Sequence, residues 1–312
     1  MFTARPPLPQ PKYLPIQQAE AKKLWNKNPD IILVSADAYV DHPSFPTALL
    51  GRTLIEAGYS VAVISQPDWK DRPGKSFAEF GKPNLFFAVV PGAVDPMINA
   101  YTPALRKRRD DAYSPGGKLT RPDRVSIVYT NMLHRLYPDV PIILGGVEAS
   151  LRRFAHYDYW SDKLQRSILA TSGADLLIYG MGDKPIREVA KALRNGFNMK
   201  LLRGLRQVGF LANKEYVEKL YNSKTIILNS YEECVDDKRK FGDNFKEIEI
   251  LSNMMECETT LIERVDDSYV VITPPHATLT TEELDHSFDL PYERSPHPRY
   301  KGKGDIPAWE MI

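Results

Sequence analysis

The densest group of reactive side chains is Gly145-Gly146-Val147-Glu148-Ala149-Ser150-Leu151-Arg152-Arg153, followed by His156-Tyr157-Asp158-Tyr159-Trp160. Paired glycines let a ligand or a second backbone approach closely. Adjacent arginines can fork onto a carboxylate or phosphate, and Tyr157, Tyr159 and Trp160 offer stacking faces. The competing reading pairs the arginines with Glu148 and Asp158 and packs the aromatics between domains. A second group, Asp37-Ala38-Tyr39-Val40-Asp41-His42-Pro43-Ser44, sets two carboxylates and an imidazole before a helix start, where an anion can be held. Its competing reading has Asp41 and Ser44 only capping and His42 satisfying a turn. A third group, Gly180-Met181-Gly182-Asp183, is a glycine turn into a capped helix, common in any α/β fold.

Several chemistries are excluded by absence. There is no GxSxG nucleophile elbow, no GxxxxGK[ST] phosphate loop and no GxGxxG dinucleotide fingerprint. The cobalamin pattern DxHxxG fails because Val40, not aspartate, lies two positions before His42. Cobalamin is therefore possible but without an axial histidine. Cys234 and Cys257, with 22 residues between them, fit neither a disulfide scaffold nor a CxxC-type metal site. With 41 basic against 40 acidic side chains in 312 residues, no global charge favours nucleic acid. No apolar run reaches the ~18 to 20 residues that span a bilayer, and the first ten residues are too proline-rich for a signal peptide, so a cytoplasmic location is expected.

The groups named above follow predicted strands. Asp30 to Ala38 (DIILVSADA) is a continuous apolar stretch that predicts a buried parallel strand. Ser44 as cap and Pro46 in the first turn predict a helix through Leu50, Leu54 and Ala57 that stops at Gly58. Strands at Ser60 to Ser65, Asn84 to Val90, Val140 to Leu144 and Asp175 to Tyr179 continue the alternation, with a short helix near Ser76 to Phe80 and another around Val125 to Leu136. Asp183 is placed to cap the helix carrying Ile186, Val189, Ala190 and Leu193. Five strands with intervening helices predict an α/β fold with a doubly wound, mostly parallel, Rossmann-like sheet, whose ligands bind beyond the carboxyl ends of the strands. Residues 93–124 break the rhythm and read as an inserted loop. Beyond about Phe197 a smaller α+β connector region is expected: a long amphipathic helix with Phe241, Phe245, Ile248, Leu251 and Met255 on one stripe, a hairpin turning at Asp266-Asp267-Ser268, and a helix opened by the Thr280/Glu283 capping box. The domain boundaries expected are thus 1–197 and 198–312.

Longer strings carry a resemblance. DIILVSADAYVDHPSF (30–45), GRTLIEAGYSVAVISQPDW (51–69), GKPNLFF (81–87), INAYT (98–102), DDAYSPGG (110–117), RPDR (121–124), ILGGVEASLRRFAHYDYWSDKLQRSIL (143–169), LPYERSPHPRY (290–300) and IPAWEMI (306–312) closely resemble the YgiQ-type family of radical SAM proteins, almost from end to end. The resemblance implies a Rossmann-like domain of the cobalamin-binding-domain type. In family members a partial α/β barrel follows, whose CxxxCxxC holds a [4Fe-4S] cluster that reduces S-adenosylmethionine to a 5'-deoxyadenosyl radical. The match stops at Ile312 before that cysteine loop, and Cys234 and Cys257 match no part of it. Pro46 stands where family members commonly have glycine after the phenylalanine, and a proline removes the close backbone approach that a glycine allows. The chain is accordingly expected to be an accessory or substrate-recognition region that is not catalytic alone and binds no cluster, its partner being the barrel absent from these residues. The alternative is a non-catalytic module binding a ligand, a protein or an RNA loop. The candidate ligand-binding residues are Asp37, Asp41, His42, Ser44, Gly145, Gly146, Glu148, Arg152, Arg153, His156, Tyr157 and Asp158, with no proton-transfer or metal role assigned. The substrate is not specified by the sequence.

Overall fold

The computed structural model describes residues 6–71 and 74–312; residues 1–5, the front of the proline-rich leading segment, and residues 72–73 lie outside the described residues. Apolar runs at Ile31–Ser35 (β1), Val61–Ser65 (β2), Phe86–Val89 (β3) and Ile142–Leu144 (β4) form buried parallel strands. A two-stranded hairpin of His156–Asp158 (β5) and Lys163–Gln165 (β6) stands apart, and Leu176–Ile178 (β7) returns to the sheet. Then come Val208–Ala212 (β8), Thr225–Ile227 (β9), Thr260–Val265 (β10) and Ser268–Ile272 (β11).

Among the described residues these make one nine-stranded sheet of order β2-β1-β3-β4-β7-β8-β11-β10-β9. The first five strands are mutually parallel, with Ile31 opposite both Val61 and Phe86. β8 joins β7 antiparallel, and β11 and β10 follow as an antiparallel pair whose turn includes Asp266 at φ 49°. The fold class is α/β with a mostly parallel sheet. β1 shows why both faces must be covered: Ile31 and Leu33 enter one apolar core, and Ile32 and Val34 the other. Helices Pro46–Glu56 (α2) and Asp183–Arg194 (α7) cover the first face, and Val125–Leu136 (α4) and Ile168–Ser172 (α6) the second. Phe210, Ile262 and Val271 share the first core with β1 and α2, so residues on both sides of position 197 contribute to one sheet and its cores.

Several local expectations are corrected. Ser44 does not cap α2; Phe45 occupies the cap position, and Ser44 is exposed with its N–H donated to the His42 Nδ1. Asp183 is the first helical residue of α7 and not its cap, which is Gly182. The span 93–124 is more than a loop, since it contains the helix Pro96–Ala100 and a 3-10 turn at Pro115–Gly117. The Lys238–Ser252 helix ends before Met255, and its stripe is only partly covered: Phe245 is 60% exposed and Met255 82%.

The tail returns to the front of the sheet. Val40 bridges to Pro296, the His297 N–H donates to the Tyr39 carbonyl at 3.1 Å, and the Tyr300 hydroxyl accepts the Tyr39 N–H at 3.0 Å. The strings 30–45 and 290–300, distant in sequence, therefore lie against one another. Beneath them Arg52 and Asp41, both fully buried, form an ion pair at 2.5 Å. Arg52 also donates to the carbonyls of Pro11 and Lys12, while Asp41 accepts from the Tyr39 hydroxyl and the Glu293 N–H. Removing one member leaves the other charged, buried and unpaired. Arg52→Met is expected to cost about 3–5 kcal/mol, read as a lowered midpoint in urea unfolding, whereas an Arg→Met change at the exposed Arg166 costs under about 1 kcal/mol.

Candidate functional site

The carboxyl ends of β3, β4 and β7 open on a cavity of about 430 Å³. Its floor is the sheet itself, through Ala88, Ile143 and Ile178; α2 supplies Pro46, Leu49 and Leu50 as one wall, and Gly182, Asp183 and Ile186 of the α7 start form the other. Gly145, Gly146, Val147, Ser150 and Leu151 border its mouth from the helix Gly146–Leu151 (α5), with Gly92 and Ala93 opposite. This volume falls in the range of small-molecule sites, and the place is where an open parallel sheet binds its ligands.

Glycine opens the cavity. Gly146 sits at φ +82°, a conformation other residues rarely adopt, and turns the chain from β4 into α5. At Gly145 a Cβ would meet only the Ile178 carbonyl, at 3.8 Å, so a side chain there projects into open space.

Of the candidates named from sequence, Ser44, Gly145 and Gly146 line this cavity. Asp37 lies behind it: a Cβ on Gly92 would come within 2.5 Å of its Oδ1, and it accepts the Ala93 N–H at 2.7 Å. Asp37 also pairs with Arg121 at 2.9 Å, and Arg121 forks onto Asp111 at 2.6 and 2.9 Å. Burial pushes the Asp37 carboxyl up to about 6 in spite of the Arg121 charge. Arg121 and Asp111 thus anchor residues 93–124 to the end of β1. Asp41 is committed to Arg52, and His42 to the Ser44 N–H, its imidazole held below its ordinary value by burial and by the Arg294 charge.

The Gly145 to Trp160 group is divided among several places. Glu148 is buried and accepts the N–H and hydroxyl of Ser126 at 2.9 and 2.8 Å, fastening the first turn of α4; burial raises its carboxyl. Arg152 pairs with Asp95, not with Glu148. Arg124, not Arg153, takes Asp158, at 2.6 Å. Against the cost of burial, the Ser161 hydroxyl and Arg124 hold the Asp158 carboxyl low. Arg153 donates to the Ser150 carbonyl at 2.6 Å and lies over the rings of Phe154 and Tyr179. His156 is driven down to about 4 by burial, its Nδ1 at 3.1 Å from the Phe154 carbonyl, and Tyr157 is exposed with its hydroxyl on Asp162. Sequence reasoning missed Asp95, Asp111 and Arg121. The Asp95-Pro96 pair was a legible helix start, and Asp95 does accept the Met97 and Ile98 N–H groups.

The chain matches the family described as Radical SAM N-terminal over residues 13–312. The chain belongs to the radical SAM N-terminal family. A UPF0313 protein of Porphyromonas gingivalis is 48% identical over 306 residues, covering 97% of this chain and 48% of the relative. Another from Bacteroides thetaiotaomicron is 46% identical, covering 96% and 50%, and one from Thermotoga neapolitana 43%, covering 96% and 52%. This radical SAM N-terminal chain thus spans about half the length of the curated relatives it matches. Among solved structures, a radical S-adenosylmethionine methyltransferase, TsrM, from Kitasatospora setae aligns with TM-score 0.38 and 20% identity over 60% of this chain and 29% of that one.

The cluster that the family implies does not fit the residues at hand. Among the described residues no three of His, Cys, Asp or Glu are grouped to hold a metal, and burial pushes the Cys234 thiol up to about 11, away from the thiolate a metal needs. Nor does His42, turned to its own loop, offer an axial ligand for a corrinoid in the cavity. No helix among the described residues is long and apolar enough to cross a membrane.

The 153–158 segment is fastened from β10 by Glu263, a buried side chain that accepts the Ala155 N–H at 2.8 Å. Burial raises its carboxyl from 4.5 to about 8. The folded state therefore binds the extra proton between those values, and stability falls as pH rises from 4.5 through 8, by at most about 1.4 kcal/mol per pH unit. Glu263→Gln is expected to flatten this part of the stability profile and to stabilise the protein at pH 8, measured by urea unfolding across pH.

Proposed function

We propose that this chain is the accessory, substrate-recognition region of a YgiQ-type radical SAM iron-sulfur protein, and that it is not catalytic alone. The observation that carries the reading is the glycine-opened cavity at the carboxyl edge of the parallel sheet, in a chain that belongs to the radical SAM N-terminal family. On this reading residues 1–197 form the Rossmann-like part, of the cobalamin-binding-domain type, and residues 198–312 the connector. The division is one of role, since one sheet runs through both.

The [4Fe-4S] cluster and S-adenosylmethionine are assigned to a radical SAM barrel beyond this chain. When bound there, they supply a 5'-deoxyadenosyl radical. This chain's own residues hold a ligand against the apolar floor and keep water from it, while Asp37, Arg121 and Asp111 hold the loops around it. The alternative of an RNA-binding module loses its support at the arginines. Arg152 pairs with the buried Asp95 through Nη1, and Arg153 donates through Nη1 to a carbonyl and lies over two aromatic rings, so the two do not stand as a free pair of forks on the surface.

Anaerobic reconstitution with iron and sulfide tests the assignment. The 312-residue chain is expected to retain no cluster and to leave S-adenosylmethionine intact. The Porphyromonas gingivalis relative, of about twice the length, is expected to bind about four irons and to cleave it. A cluster assembled on the 312-residue chain by itself would overturn the reading.

A further inference from the structure

The wall of the cavity contains one ionisable side chain, Asp183, and its position is unusual. The residue is 3% exposed, yet among the described residues its carboxylate has no hydrogen-bond or ion-pair partner; its backbone carbonyl alone is engaged, by Arg187. The buried acids around the site are engaged by the protein, Asp37 by Arg121, Asp41 by Arg52, Asp95 by Arg152 and Asp111 by Arg121, and Glu148 takes Ser126 on one oxygen while its other oxygen has no partner among the described residues. A carboxylate at a cavity wall with no protein donor is left to water, and a ligand that brings an N–H donor replaces that water with a charge-assisted hydrogen bond.

The surroundings indicate what kind of donor. On one side of Asp183 the cavity is bounded by Leu49, Leu50, Ile143, Ile178 and Ile186, which suit an apolar body. On its other side Asp183 borders a smaller cleft of about 300 Å³ lined by Glu56, Glu282 and Glu283 against Arg187 and His286. Acidic groups outnumber basic ones there, so the local field favours a cation. Gly182, immediately before Asp183, has φ −88°, where any residue fits. A Cβ there would be in ordinary contact with Leu50 and Ile178, so the glycine keeps space beside the carboxylate open without any backbone need for it.

We propose that Asp183 is a ligand-binding residue and that the cavity takes an organic amine: an apolar, aromatic-sized body lying on Ala88, Ile143 and Ile178, with its ammonium or N–H donor on the Asp183 carboxylate. The inference rests on the reading of this cavity as the ligand site and names the ligand's chemical class.

The test uses three probes of one shape, 2-(1-naphthyl)ethylamine, 2-(1-naphthyl)ethanol and 1-naphthaleneacetate, titrated into the 312-residue chain by calorimetry or ligand-observed NMR. The amine is expected to bind at least about tenfold more tightly than the alcohol, and the carboxylate more weakly than either. Asp183→Asn, with circular dichroism and unfolding midpoint unchanged, is expected to bring the amine's affinity down to about that of the alcohol. Gly182→Val, with circular dichroism unchanged, is expected to abolish binding of both amine and alcohol. No saturable binding of any probe, equal binding of amine and alcohol, or an amine affinity indifferent to Asp183→Asn would overturn the inference. Each of those results leaves the reconstitution contrast intact, because cluster assembly does not depend on what fills this cavity.

Discussion

The Arg52–Asp41 ion pair is the contact on which the front of the molecule depends. Two opposite charges with no exposure to water must satisfy one another and spend their remaining donors and acceptors on the protein. They do so on three distant stretches: Arg52 reaches the carbonyls of Pro11 and Lys12 in the leading segment, and Asp41 accepts from the loop after β1 and from Glu293 in the tail. Once α2 is docked on β1, both ends of the chain are drawn to the same edge of the sheet.

The same principle shapes the neighbourhood of the cavity. Charged side chains there are dense in sequence, but the fold uses nearly all of them to fasten loops: Arg121 between Asp37 and Asp111, Arg152 on Asp95, Arg124 on Asp158. What lines the open space is apolar surface, glycine backbone, Ser44, Ser150 and Asp183. The hydrophobic rim, with Leu151 60% and Met181 57% exposed, continues that character outward.

The sheet also explains why residues beyond position 197 matter to the site. β8 adds antiparallel to β7, and Gln207, just before it, donates to the carbonyls of Tyr179 and Met181 at 2.6 Å each. The turn from β7 into α7, which presents Gly182 and Asp183, is thereby held from the second half of the chain. Glu263 on β10 does the same for the segment around Ala155.

The sequence by itself determined the parallel strands, because a strand buried on both faces must be apolar at every position, and IILVS, VAVIS and FFAV are nearly so. It determined the hairpin at Asp266 and the Thr280/Glu283 capping box, because those signals act over four residues. The three-residue β9 lacked such a signature, and β8 is apolar but interrupted by Gly209, so pairing with neighbours made them strands. The tertiary structure alone decided which charges meet. Glu148 is four residues from Arg152 in the chain, yet Arg152 turns to Asp95 across the fold, since ion pairing follows distance and desolvation in space and not order in sequence. For the same reason Asp183 reads from sequence as one more helix cap. Its place in the wall of a cavity, with no protein partner for its carboxylate among the described residues, is visible only in the folded chain.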